Sequence, residues 1–164
     1  MKQTCAALLT VVVLGLIGSE AAAQTPVSPN EPIVPGVDTP QTAALKRDVK
    51  EFELGPFEGI EYKYRVDSAG ASFVYEWTAT ATVKVDFHGE ADGTPRGTAQ
   101  FYQQLAGATS AKGTFIAPAP GIHGWYWENQ GADVITVRLV SSGFYTRATE
   151  FRREGRTEHE VLEP

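Results

Sequence analysis

Two His-Gly pairs stand out in this chain: His88-Gly89 within Asp86-Phe87-His88-Gly89-Glu90, and His123-Gly124 within Gly121-Ile122-His123-Gly124-Trp125-Tyr126-Trp127. An imidazole followed by the smallest residue suits a site where something must approach the backbone closely. If the two segments met on one face, His88 and His123 with Asp86 and Glu90 would supply the nitrogens and carboxylates that hold Zn, Cu, Ni or Co. The spacing Asp-x-His carries far less information than a motif such as His-Glu-x-x-His. The competing reading is structural: a histidine at a strand end also caps a carbonyl or packs on an aromatic ring. His123 shares its alternation phase with Trp125 and Trp127. His159 lies in a polar segment and reads as solvated.

Trp125-Tyr126-Trp127 places large aromatic rings on both sides of one strand. Either they belong to the core, or one side forms a binding platform for a sugar ring, a peptide or a partner protein. The phases separate the two. If Tyr126 faces inward, the tryptophans face outward beside His123; the reverse choice buries the histidine. Signatures of catalysis are thin. No serine lies in a Gly-x-Ser-x-Gly or Ser-x-x-Lys pattern, and no glycine-rich phosphate loop occurs. The reading is therefore non-enzymatic and without cofactor, with a jelly-roll metalloenzyme as the lesser alternative.

The elements that would position these residues are strands. From Phe73 to His88 the chain alternates without a break, Phe73, Tyr75, Trp77, Ala79, Ala81, Val83, Val85 and Phe87 on one phase. Lys84, Asp86 and His88 share the other phase, the solvent face of an antiparallel sheet. Such a strand would run roughly 50 Å at about 3.3 Å per residue, longer than a small domain is wide. With no turn residue between Trp77 and Val85, a bend or bulge at Thr78–Thr82 is expected, of the kind that carries a strand from one sheet to another. Further strands are read at Glu58–Val66, Lys112–Ala117, Ile122–Asn129, Asp133–Val140 and Gly143–Phe151. Thr42–Glu51 and Thr98–Ala108 read as short helical stretches. The sum is an all-β domain, a single antiparallel sandwich of Greek-key or jelly-roll type with about seven or eight strands.

The chain opens with Lys2, an apolar run from Ala6 to Gly18 and Ala21-Ala22-Ala23, the pattern of a secretory signal peptide over 1–23. The apolar run is shorter than the roughly 20 residues that span a bilayer. Export to the periplasm or beyond is expected, with membrane contact only if the leader is retained. Cleavage would remove the only cysteine, Cys5, and with it thiolate chemistry. Residues 24–44 hold Pro26, Pro29, Pro32, Pro35 and Pro40 and read as an extended linker, 45–152 as the folded domain, and 153–164 as a frayed polar tail. A net charge of −6 argues against nucleic acid as a partner.

The run from Lys112 to Leu139 resembles the closing half of GOLD domains, the β-sandwich of eukaryotic cargo receptors. Gly113-Thr114-Phe115, Pro120-Gly121, Gly124-Trp125-Tyr126, Asn129 and Val134–Val137 carry the likeness. Together with Phe52–Val66 and Val74–Glu90, the chain is similar to small bacterial exported or transmembrane anchor proteins with a GOLD-like domain. The eukaryotic domains carry a cysteine pair that is missing here, and Trp127 stands near one of those positions. The resemblance implies a sandwich used for interaction, its partner another exported or membrane protein, with Trp125, Tyr126 and Trp127 as the expected contact residues.

Overall fold

The computed structural model describes residues 38–163 apart from residue 96, so the signal peptide and most of the linker expected from sequence lie outside the described residues. Among the described residues there is no helix. Eight antiparallel strands form one curled sheet, half-barrel in outline: β1 (Lys46–Leu54), β2 (Gly59–Val66), β3 (Ser72–Ala91), β4 (Gln100–Ile116), β5 (Gly121–Asn129), β6 (Ile135–Gly143), β7 (Arg147–Arg152) and β8 (Gly155–His159). The order across the sheet is β1-β6-β3-β5-β2-β7-β8, with β4 on the free edge of β3.

The long strand bends where its side chains are small. Phe73–Ala79 pairs with β6, whereas Val83–Ala91 pairs with β5, and the ladder to β4 shifts register between Thr78 and Val83. β3 therefore changes partners at the Thr78–Val83 corner, so that the two halves of the sheet face each other across one core. Phe73, Trp77, Val83, Val85 and Phe87 all point into that core, as the alternation requires.

Aromatic rings fill it. Trp125 stacks between Phe87 (4.8 Å between centroids) and Trp127 (5.5 Å). Phe52 of β1 reaches Tyr62 of β2 at 5.0 Å, and Trp77 meets Trp127 at 6.0 Å, contacts that join the two halves. One buried anion crosses as well: Asp48 of β1 accepts hydrogen bonds from the Tyr62 hydroxyl (2.7 Å) and the Tyr64 hydroxyl (3.0 Å). Burial and this carboxylate push both phenols above their usual range. The indole N–H groups of Trp77, Trp125 and Trp127 are buried and find no protein acceptor.

Three sequence expectations change. Thr42–Glu51 is not helical; β1 runs through it because Asp48, Phe52 and Leu54 alternate inward against β6. Thr98–Ala108 is likewise strand. Tyr102, Leu105, Ala108 and Ala111 all pack on the core, a spacing of three that imitates a helix. It arises because β4 carries extra residues at its register shifts opposite Val83/Val85 and Phe87/His88. The C-terminal segment is tied down, with β8 paired to β7 and Leu162 bridging to Arg47 of β1. His159 is not simply solvated, since its Nε2 lies 3.0 Å from a Glu150 carboxylate oxygen.

Candidate functional site

The two His-Gly pairs lie side by side, yet they do not converge. In the β3–β5 ladder His88 stands opposite Gly124, and Gly89 opposite His123. Directly paired residues share a face and neighbours in a strand do not, so the imidazoles occupy opposite faces of the sheet. His123 points into the core and His88 to the outer surface.

His123 is 1% exposed and packs among Tyr102 and Phe115. Its Nε2 lies 3.0 Å from the Ala119 carbonyl, which only accepts, so that nitrogen donates. Nδ1 then accepts from the Tyr102 hydroxyl at 2.9 Å. Burial holds the ring's pKa below the usual histidine value, so His123 is a neutral core residue in a single tautomer. A Cβ at position 89 would strike its ring and Tyr102, which explains the glycine opposite.

The outer face around His88 is charged but dry. His88 is 6% exposed, with Nδ1 3.2 Å from the Asp86 carbonyl and Nε2 3.4 Å from a Glu61 carboxylate oxygen. The His88 contact holds Glu61 below the normal carboxylate range. Lys63 is only 1% exposed; its Nζ lies 3.4 Å from the His88 carbonyl, and no carboxylate among the described residues comes within ion-pair distance. Burial pulls its pKa down to about 8, against the opposite pull of Glu61, Glu90 and Asp86. Asp86 accepts from Gln104 (3.0 Å), and Lys84 bridges towards Glu128 (3.4 Å) while lying 5.9 Å from the Tyr126 ring centre. Lys84, Asp86 and His88 share a face as their alternation implies, though His88 is covered rather than solvated.

These placements correct two expectations. A shared ion for His88 and His123 has no face on which to form, and among the described residues no group of three or more His, Cys, Asp or Glu side chains is arranged to hold a metal. Asp86 and Glu90 accompany His88 alone on the outer face. Trp125 and Trp127 are fully buried, so no exposed tryptophan platform exists. Only Tyr126 of the three faces outward, half-buried, lying over Gly59.

The β1–β2 connection supplies a residue that the motif search passes over. Gly55-Pro56-Phe57-Glu58 is a four-residue turn closed by Glu58 N–H donating to the Gly55 carbonyl at 3.1 Å. Proline second suits both type I and type II turns, and it is the type II turn whose third residue adopts positive φ and is ordinarily glycine or asparagine. Here it is Phe57, at φ 59°, the only non-glycine residue of positive φ among the described residues, and the residue is 73% exposed. The turn is clamped on every side. Glu58 accepts from the Gly55 N–H (2.7 Å) and pairs with Arg152; the Asn129 side-chain amide donates to the Gly55 carbonyl at 2.8 Å, and its backbone N–H to Glu58 at 2.9 Å. Phe57 and Tyr126 line an open recess of about 630 Å³ together with Glu58, Arg153 and Glu154. The sequence signals a turn here, Gly-Pro-x-Glu-Gly between two strands, but proline second also suits a type I turn, so the positive φ at Phe57 shows only in the structure.

A scan against protein-family models gives no match for this chain, and no curated protein matches it either.

Proposed function

We propose that the chain is an exported, non-enzymatic binding domain of GOLD-like type, which engages its partner at the end of the molecule marked by Phe57 and Tyr126. The observation that carries this reading is Phe57. A bulky residue in left-handed backbone costs about 1–2 kcal/mol, and a mostly exposed ring recovers little of it by burial. The four clamping contacts hold the strain in place, and such retained strain marks sites where a side chain must be displayed. Gln41 hydrogen-bonds to the Gly70 carbonyl in the β2–β3 turn, so the Phe57 turn lies at the end of β2 away from Gln41.

Nothing in the geometry favours the metal-binding alternative, because the imidazoles face apart. The test is a photo-crosslinking phenylalanine analogue at position 57 or 126 in the full chain, in the cell that makes it, with position 74 on the distant outer face as control. Adducts at 57 and 126 but not at 74 support the reading. Equal labelling at all three positions, or none, overturns it.

A further inference from the structure

Resting on that reading, we infer that the recess between Phe57 and Tyr126 is a binding site for a neutral oligosaccharide. The lining sets the requirements. Phe57 offers an unoccupied apolar ring face, and Tyr126 a second ring ending in a hydroxyl. The same lining holds Arg153, a fork of donors, and Glu154, a pair of acceptors of opposite charge, while Glu58 is already paired with Arg152. A ligand that satisfies all four has an apolar face for the ring, several hydroxyls able to donate and accept, and no net charge. A pyranose is such a molecule: its C–H face stacks on an aromatic ring while its vicinal hydroxyls meet a guanidinium or a carboxylate in pairs.

The other ligand classes fit less well. An acyl chain would leave Arg153 and Glu154 desolvated without partners, which is costly. An anion would meet Glu154 and Glu58 within the same lining. An extended peptide gains most from pairing its backbone with a free strand edge. Beside the recess β2 is paired to β5 from Gly59 onward and to β7 from Glu61 onward, and β5 to β2 and β3. A saccharide needs no ladder. The recess, about 630 Å³, also falls within the 300–1,000 Å³ typical of ligand sites.

The test is calorimetric titration of the full chain with maltohexaose, cellohexaose and chitohexaose, each alone. The inference expects saturable binding of at least one, weakened tenfold or more, about 1.4 kcal/mol, by Phe57→Gly and by Tyr126→Ala, and unchanged by Val74→Ala. Phe57→Gly is the decisive variant, because glycine suits the turn and loss of binding cannot be laid to unfolding. No saturable binding of any of the three, or binding indifferent to Phe57→Gly, overturns the saccharide assignment. If crosslinks at position 57 then trap a protein, the binding role stands and only the ligand class falls; without such crosslinks, both fall.

Discussion

His123 stands directly across the ladder from Gly89, and its ring folds over that glycine to reach the Tyr102 hydroxyl. The mirror relation holds on the other face, where His88 stands opposite Gly124. Both glycines clear space, Gly89 for the imidazole across from it on β5 and Gly124 for the backbone of β2. The obstacles differ, however. A Cβ at 89 would meet the movable side chains of His123 and Tyr102, whereas a Cβ at 124 would meet the Tyr62 carbonyl and the Lys63 Cα, which belong to backbone.

That difference is measurable by urea denaturation. Gly89→Ala is expected to cost about 3 kcal/mol and Gly124→Ala at least as much, the upper range for overpacking. Adding His123→Ala should recover part of the Gly89→Ala loss, judged against His123→Ala alone, because it removes the obstacle. It should recover none of the Gly124→Ala loss. Equal behaviour of the two glycines would refute the assignment of separate faces.

His123 also makes stability depend on pH. Its folded pKa lies below the usual 6.5, so in the window below 6.5 the unfolded chain binds a proton that the folded chain does not. Stability is then full above pH 6.5 and declines as pH falls below it. Glu58 and Glu61 are held below the usual 4.5 and Asp92 below the usual 3.8, so they act only at lower pH. The difference in melting temperature between the native chain and His123→Gln, followed from pH 7.5 to 5.0, should shrink as pH falls. A difference independent of pH would show that the ring is not neutral in the core.

Lys63 acts in the alkaline range with the same sign. The folded pKa near 8 lies below the ordinary 10.5, so between these values the unfolded chain holds the extra proton and stability rises with pH. Raising pH from 8 to 10 should add about 2 kcal/mol, since one proton held only by the unfolded chain is worth about 1.4 kcal/mol for each tenfold fall in proton concentration. Above pH 10 the buried tyrosines reverse the trend, because Tyr62, Tyr64 and Tyr145 resist ionisation in the fold. Lys63→Met should flatten the rise and leave the neutral-pH stability equal or higher, because a buried charge without a carboxylate partner is replaced by an apolar chain of similar length. A persistent alkaline rise in Lys63→Met would assign it to another group.

Much of this architecture can be read from alternation alone. The inward phase of β3, its bend at Thr78–Thr82 and the strand character of β2, β5 and β6 follow from which residues alternate and where small ones gather. β4 could not be read so, because its extra residues turn a period of two into an apparent period of three at Tyr102, Leu105 and Ala108. β1 was obscured by Asp48, a carboxylate in a core position that makes sense only once Tyr62 and Tyr64 face it across the sheet. The histidines failed for a related reason: a sequence shows two His-Gly pairs but not the register, and a shift of one residue decides whether imidazoles converge or turn their backs. Lys63 shares the outward phase of Glu61 and Arg65, and nothing in one strand reveals what the neighbouring strands lay over it.

Phe57 gives the last prediction, and it separates folding from display. Replacing it by glycine removes the left-handed strain of about 1–2 kcal/mol and sacrifices little buried surface, while the greater freedom of glycine in the unfolded chain returns about 0.5–1 kcal/mol. Phe57→Gly should therefore raise the unfolding free energy by about 0.5–1 kcal/mol, whereas Phe57→Ala, which keeps the strained φ, should change it by less than about 0.5 kcal/mol. Chemical denaturation of the three proteins side by side decides the matter. A phenylalanine that costs stability is retained for something other than the fold, and the position of its ring beside Tyr126 says where to look. If Phe57→Gly instead loses more than about 1 kcal/mol, the ring contributes packing and the argument from strain to display fails with it.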